Sequence, residues 1–597
     1  MSTTPNTSDE VDVPLSKDNT TIRFSADRLR WWPALVVIVL MLVLRAVPML
    51  MESPSLPVMM LGFMGPPAVG LLLLPWWLFA SRAPLREKLI GLLGLLVVAV
   101  MAIAFVHPTM RGVPNIMYQL PVGLIAFAVP LVLLSRLSSI RLTAALVSAV
   151  IGFGAWDLLR FDGVTGVFGA QFSSRWSSTS EDEYLHLLAS SSLPTRNTSL
   201  EIDPGAVVTA DNAEWPAFRG RSGNNVIPDV VVDDDWSNQP PKLLWKSLIG
   251  PGWSSFSIAG NRMFTQEQRG ESEAIVCLDT ETGEVVWAYE YPGRFEESLG
   301  GVGPRATPTI GDGALFCTGA DGRISCLDPS NGELIWKRHL REDAGREPPN
   351  WGWSSSPLVV ESKAIVHAGG DGEKGVIAYD TSTGEIDWSV ASGNHSYSSP
   401  QLAEVNGVEG ILMLTNNGLQ FVSVTDGHTI WDHDWVTEHY RALQPLATEN
   451  AILIADSMGE GTRRLSVNKS GDSWQIMEDW TSRSMKPQFN DFVLYDGCVY
   501  GFDMNIFACM DAETGEKMWK RGRYGNGQVL LLSSEGQLLL TSEEGEIVLL
   551  KATPDRLTEL AKFPAIEGKT WNHPVLVGDR LYVRNGQEVA CYQLPLK

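Results

Sequence analysis

The phrase CLDPSNGELIW, residues 326–336, constrains this chain more than any other feature, because the chain writes it repeatedly. It stands as CLDTETGEVVW ending at Trp287, AYDTSTGEIDW ending at Trp388 and CMDAETGEKMW ending at Trp519, with a looser FVSVTDGHTIW ending at Trp431. One copy with its upstream part, RATPTIGDGALFCTGADGRISCLDPSNGELIWKRHL, reads as four short strands. Their joints are Gly-Asp-Gly, Ala-Asp-Gly and Pro-Ser-Asn-Gly turns, and apolar and polar residues roughly alternate between them, as half-buried sheets require. Asp328 caps the last turn through its side chain, Gly332 supplies a positive φ, and Trp336 is a broad residue for packing one sheet on the next.

Tryptophans ending such phrases fall at 245, 287, 336, 388, 431, 480 and 519, with gaps of 42, 49, 52, 43, 49 and 39. Units of about four strands at that period predict a β-propeller. First strands are expected near Ser254, Ala306, Ser356, Ser399, Leu443, Lys486 and Gln528. An eighth unit starts at Trp571 and runs out of chain before its fourth strand. PKLLWKSLI, residues 241–249, is a lone Trp-bearing strand that fits the gap. A closing sheet made from both ends leaves no open edge. The expected fold is an all-β eight-bladed propeller of the tryptophan-docking type. Seven blades is the competing count, because the units near 430–480 and 528–565 are degenerate.

The first 160 residues are a different material. Apolar runs at about 31–50, 56–80, 89–106, 117–134 and 142–158 are each near the length of a membrane-crossing helix, and the fifth is the weakest. A bundle of about five transmembrane helices is therefore expected ahead of the propeller. Arg45 stands near one helix end, where it can reach the interface. Arg23, Arg28 and Arg30 precede the first run, Arg82, Arg86 and Lys88 follow the second, and Arg136 and Arg141 follow the fourth. The alternate loops hold Arg111 and Glu52. This asymmetry puts the N-terminus in the cytoplasm. Five crossings then place the large domain outside the cytoplasm, and four would leave it inside. The expected domains are a cytoplasmic tail at 1–30, the helical region at 31–158, a Ser/Thr-rich linker at 159–213 and the propeller at 214–597. Within the linker EDEYLHLLAS reads as a short helix capped near Ser178 or Ser180.

Charge narrows the partners. The net charge is -23, yet residues 1–160 hold 12 Lys/Arg against 8 Asp/Glu, so the remainder carries -27. No nucleic-acid partner is expected from so acidic a domain. The expected partners are the membrane and an envelope protein. Six cysteines include no C-x-x-C. A two-residue turn at Asp321-Gly322 would set Cys317 opposite Cys326, within reach of a disulfide in an oxidising compartment. The alternative is two small apolar strand residues.

The repeat resembles the tryptophan-docking repeat of pyrroloquinoline quinone (PQQ) dehydrogenases, which non-enzymatic relatives such as the lipoprotein scaffold of the outer-membrane protein assembly machine share. EWPAFRGRSGNNV at 214–226, GPRATPTIGDG, SYSSP and WNHPVLVGDRLYVRN are similar to bacterial PQQ-like propeller proteins, closest to membrane-anchored members of planctomycete type. The resemblance spans about 214–597. It implies the propeller, and for the dehydrogenases a PQQ cofactor with Ca²⁺, a carboxylate base and electron transfer to membrane quinone. Candidates for cofactor contact stand at the strand starts facing the axis: Arg305, Trp353, Ser355, Tyr397, Arg441, Lys486, Asn572 and His573, with Trp351, Ser354, Ser356, His395, Tyr440 and Arg483 beside them. Aromatic, basic and hydroxyl groups around one funnel suit an anion. They equally suit a narrow axis that needs small or plugging side chains. The pattern departs from the dehydrogenases in lacking an adjacent cysteine pair and a C-x-x-C-H. Glu296, Glu297 and Asp371 sit in acidic loops and form no assignable calcium set or catalytic base. Nothing such as G-x-S-x-G or H-E-x-x-H points to other hydrolytic chemistry. The reading is a membrane-anchored, non-catalytic protein- or ligand-binding module, with a PQQ-dependent dehydrogenase or cofactor-binding sensor as the alternative.

Overall fold

The structure, a computed structural model, describes residues 28–51, 56–166, 168–190, 210–457 and 459–597. The expected tail lies outside the described residues except for its last three, as does the linker stretch 191–209. The chain divides into two compact units, Met1–Phe161 and Asp162–Lys597.

The first unit holds five helices long and apolar enough to cross a membrane: Trp32–Leu50, Pro57–Ala80, Leu85–Phe105, Asn115–Leu133 and Arg141–Leu158. The expected fifth helix is thus formed, and it is the least apolar of the five, with a mean hydropathy of 1.3. Small residues let the fourth and fifth helices approach closely, as apolar solvent favours. A Cβ on Gly123 would fall 2.1 Å from the Phe153 ring, and one on Gly152 would fall 2.4 Å from Ala126 Cβ. Two of the expected interface cations are spent inside the bundle. Arg141 is fully buried and gives a two-pronged bond to Glu87, Nε to Oε1 and Nη2 to Oε2, both 2.6 Å. Arg45 stands over the rings of Phe63 and Tyr118, 5.1 and 5.0 Å from their centroids.

The second unit is an eight-bladed propeller. Six blades are four-stranded antiparallel sheets of consecutive strands, the first opening with Ser257–Ala259. The seventh gains a fifth strand, Val226–Ile227, paired parallel to Gln528–Leu532. The eighth is closed by the N-terminal strand Lys242–Leu248 on Glu588–Gln593, with Trp245 opposite Cys591, so both chain ends share one sheet as expected.

The repeated phrase explains how blades dock. Asp328 Oδ1 accepts from the Ser330 amide at 2.8 Å, and Gly332 closes the turn at φ +73. The space a side chain would need at Gly332 is filled by the preceding blade's Trp287, 2.5 Å from an ideal Cβ. The Trp287 indole also donates to Pro329 O of that turn at 3.1 Å. Trp245 meets Gly283 and Thr280 O in the same way, Trp336 meets Gly384 and Thr381 O, and Trp388 meets Gly427 and Val424 O. Each Trp thus couples its own blade to the turn of the next. Blade five breaks the rule. It replaces the short turn with a long hairpin, Gly461–Ser470 against Ser473–Ser482, and Trp431 stacks on Phe421 and Trp474 with its indole nitrogen unpartnered.

Around the axis, wedge-shaped blades leave backbone unpaired, and side chains stitch it. The Ser255 amide donates to Thr307 Oγ1, that of Thr307 to Ser356 Oγ, and that of Ser356 to Ser399 Oγ, at 2.9–3.0 Å. These hydroxyls at strand starts are architectural.

The expected placement of Cys317 opposite Cys326 is corrected. Cys326 pairs with Phe316 while Cys317 pairs with Ser325, so the two cysteines face opposite sides of the sheet. The connecting loop is longer than two residues, and a one-residue change of register flips every side chain. All six cysteines are free and buried. Within the expected linker, Leu159–Val164 and Ala170–Ser174 form a hairpin, and the expected short helix forms as Ser180–Ser190. That helix is capped by Thr179, whose hydroxyl accepts from the Asp182 amide while Asp182 accepts from the Thr179 amide, both 2.9 Å. Its Tyr184 is buried and donates to Glu267 at 2.9 Å.

Candidate functional site

Strand starts and inter-blade loops leave a cavity of about 320 Å³ at the propeller axis. Eight aromatic side chains line it. Trp253, Phe489 and Trp571 form one cluster, with Trp571 centroids 4.8 Å from Trp253 and 4.9 Å from Phe489. Trp351, Tyr397 and Tyr440 form a second, with Trp351 5.1 Å from Tyr397 and 4.4 Å from Tyr440. Phe168 and Phe218 complete the set.

The polar atoms are mostly engaged with protein. The Trp253 indole donates to Gly300 O at 2.8 Å and the Trp571 indole to Glu543 Oε1 at 2.9 Å. Glu297 enters on the loop between blades one and two. It accepts from the amides of Leu299 and Gly300, and Arg305 Nη2 lies 3.2 Å from its Oε1. Burial lowers the Arg305 pKa, and Glu297 beside it works against that shift. Behind the Trp pair, Lys569 Nζ stands 4.4 Å from the Trp571 ring centroid and donates to Val164 O at 3.2 Å. Burial lowers Lys569 to about 8, against the pull of Glu543 and Glu297. Val164, Thr165, Gly166 and Phe168 form part of the rim, with the Gly166 amide donating to Glu543. Gly166 has no room for a side chain, since a Cβ would meet Asn526 at 2.3 Å.

At the floor His573 Nε2 lies 2.7 Å from Asp491 Oδ2. Asp491 is buried, accepts from Asn225 Nδ2 at 2.8 Å and forms an ion pair with Arg219, whose Nε lies 2.8 Å away. Burial would raise the Asp491 pKa, but Arg219 and the His573 hydrogen bond hold it below the usual carboxylate range. Phe218 meets the imidazole edge-on at 4.6 Å.

The sequence candidates separate by strand alternation. Arg305, Tyr397 and His573 line the cavity, with Trp351, Ser354, Ser356 and Tyr440. Residues between them turn away, as period two demands. Ser355 is buried off the cavity. Arg441 donates to Thr415 O and Trp435 O at 2.7 and 2.6 Å and lies over Trp435. Asn572 donates to Gly252 O and Ser254 O at 3.2 and 2.8 Å. Trp353 packs over Gly322 and donates to Ala368 O at 3.2 Å. Lys486 pairs with Asp503 at 2.6 Å. Of the loop acids, Glu297 reaches the cavity, Glu296 pairs with Arg294 and Asp371 is exposed. Sequence reading missed Phe218, Arg219, Asp491 and the rim residues Val164, Thr165, Gly166 and Phe168. The AFRGRSGNN stretch, charged and outside the repeat, was the available signal for the first two.

A PQQ site with calcium asks for six to eight oxygen ligands and cations for the cofactor's carboxylates. Among the described residues, Glu297 is the one carboxylate and Arg305 the one strongly basic side chain lining the cavity, and they are paired with each other. No group of three or more His, Cys, Asp or Glu among the described residues is placed to hold a metal. The residues present do not fit that group.

The fold and its axial cavity define a PQQ-like repeat propeller. A family model, PQQ_2, described as outer membrane protein assembly factor BamB, matches residues 238–372 and 320–553, more than half of the chain, and the chain belongs to this family. Curated relatives are of two kinds. The dehydrogenase subunit of a quinone alcohol dehydrogenase from Gluconacetobacter polyoxogenes is 25% identical over 26% of this chain and 22% of its own length. Outer membrane protein assembly factor BamB of Yersinia pestis is 26% identical over 35% of this chain and 54% of its own. The chain thus spans about a fifth to a half of these relatives' lengths. Among solved structures, BamB from Moraxella catarrhalis is similar at 12% identity and TM-score 0.43, covering 59% of this chain and 100% of that one. Quinohemoprotein alcohol dehydrogenase ADHIIG from Pseudomonas putida HK5 is similar at 13% identity and TM-score 0.47, covering 64% and 80%.

Proposed function

We propose that this protein is a membrane-anchored binding module of the bacterial cell envelope, with its propeller in the periplasm, that holds a small ring-bearing ligand at the axis without turning it over. One observation carries the reading: aromatic rings wall the cavity, while the Trp253 and Trp571 indoles, the Glu297 carboxylate and the Arg305 guanidinium are already bonded to protein. Such walls give broad stacking contact. Groups tied into the scaffold make poor proton or hydride handlers. The five apolar helices support membrane anchoring, and the BamB relatives support an envelope protein as partner.

The tilted Trp253–Trp571 pair and the dehydrogenase relatives favour a second reading, a PQQ-dependent dehydrogenase. Titrating the purified full chain with PQQ, with and without Ca²⁺, by absorbance and heat separates the two. The binding-module reading expects no metal-dependent binding at micromolar PQQ and no turnover of alcohols or sugars with an artificial acceptor. Calcium-dependent binding with turnover would replace it by the dehydrogenase. Crosslinking in cells then tests for the partner.

A further inference from the structure

Charge balance around the cavity says more about the ligand. Arg305 faces Glu297 at 3.2 Å, and Arg219 faces Asp491 at 2.8 Å. Lys569, behind the Trp pair, has Glu543 and Glu297 as its opposing charges. Arg305, the one strongly basic side chain lining the cavity among the described residues, and Arg219 beneath it are thus each paired with a carboxylate of this chain. An ionised ligand entering such a site loses its water and gains no unspent counter-charge, which disfavours it. A neutral flat molecule loses little and gains the ring contacts.

At the floor of the cavity one ring nitrogen has capacity to spare. His573 lines the floor, and its bond to Asp491 occupies Nε2. Nδ1 takes no partner among the described contacts. In the neutral imidazole, a carboxylate accepting from Nε2–H leaves Nδ1 as an acceptor for a ligand O–H. Arg219 and Asn225 hold Asp491 in turn. The segment at 214–226 therefore does more than precede the first blade. It supplies both the clamp on Asp491 and, through Phe218, a wall of the cavity.

We infer that the cavity selects an uncharged, flat ring compound bearing a hydroxyl, with His573 Nδ1 accepting the hydroxyl proton in a hydrogen bond and Asp491 acting as the positioning residue. This rests on the reading of the axial cavity as a ligand site, and the test separates the two claims. The full chain in detergent would be titrated with 2-naphthol, naphthalene and naphthalene-2-carboxylate at neutral pH, following heat and tryptophan quenching. The expected order is 2-naphthol tightest, naphthalene next and the carboxylate at least about tenfold weaker than 2-naphthol. His573→Phe lowers 2-naphthol affinity about fivefold and leaves naphthalene unchanged, as loss of one neutral hydrogen bond predicts. His573→Gln, which keeps an acceptor in place, restores part of the loss, and Asp491→Asn weakens 2-naphthol alone. Thermal melts of each variant establish folding, and Phe218→Leu serves if His573→Phe does not fold, with naphthalene and 2-naphthol expected to weaken together. A carboxylate that binds as tightly as 2-naphthol, or 2-naphthol binding indifferent to His573→Phe, overturns the inference and leaves the ligand site standing. Failure of all three compounds to bind overturns both.

Discussion

Glu273 lies at the junction of blades one and two with 1% of its surface exposed. One carboxylate oxygen accepts from Tyr291 Oη at 2.8 Å and the Ala320 amide at 3.2 Å, and the other has no partner. Burial first, then repulsion from Asp321, pushes the carboxyl up to about 7, against the Tyr291 hydrogen bond and the more distant Arg305. The folded-state value lies above the unfolded one. The stabilisation it brings is therefore complete below the ordinary glutamate range and is lost as pH rises through about 7. The loss is on the order of 3 kcal/mol. Glu273→Gln removes the titration, so its stability relative to wild type should improve between pH 4 and pH 8 in urea denaturation. Parallel pH profiles would contradict the account. Residues of this kind are illegible in sequence, because only the fold shows which acid loses its water. The same holds for Asp491, where a plain Asn-Asp step became the anchor of the cavity floor. His573 and Tyr397 were legible, since strand starts of a propeller converge on the axis. Their neighbours Asn572 and Arg441 looked equivalent until alternation sent them elsewhere.

At the level of the element, the Trp-to-Gly dock was readable because it repeats. The period, the turn residues and the closing strand at 241–249 follow from spacing and turn chemistry alone. The rim residues Val164, Thr165, Gly166 and Phe168 were not readable, since a single copy in a Ser/Thr-rich stretch carries no period. The dock predicts a difference between two glycines of equal backbone geometry. Gly332 and Gly407 both have φ +73, but a Cβ at Gly332 meets Trp287 at 2.5 Å while one at Gly407 meets nothing within 4 Å. Gly407→Ala should therefore cost about 1 kcal/mol, the left-handed penalty alone. Gly332→Ala adds the clash, for a total of about 2–4 kcal/mol. Chemical denaturation of both variants measures the gap. Equal losses would mean that the Trp yields freely and that docking is looser than the contacts imply.

For the whole molecule, the number of crossings decides the compartment of the propeller. Arg141 complicates the sequence argument, since its charge is buried against Glu87 and is not presented to a membrane surface. Without it, Arg136 alone marks the loop between the fourth and fifth helices as cytoplasmic. The formed helix Arg141–Leu158 still favours five crossings and a periplasmic propeller. The six buried cysteines make this testable with little background. Glu449 is exposed at a turn of blade five, and Glu449→Cys places one accessible thiol there. In spheroplasts a membrane-impermeant maleimide should label this variant fully before lysis and leave the parent chain unlabelled. Labelling only after lysis would put the propeller in the cytoplasm and require four crossings or a reversed orientation. The cavity would then meet cytoplasmic solutes, and an envelope partner would be excluded together with the periplasmic location.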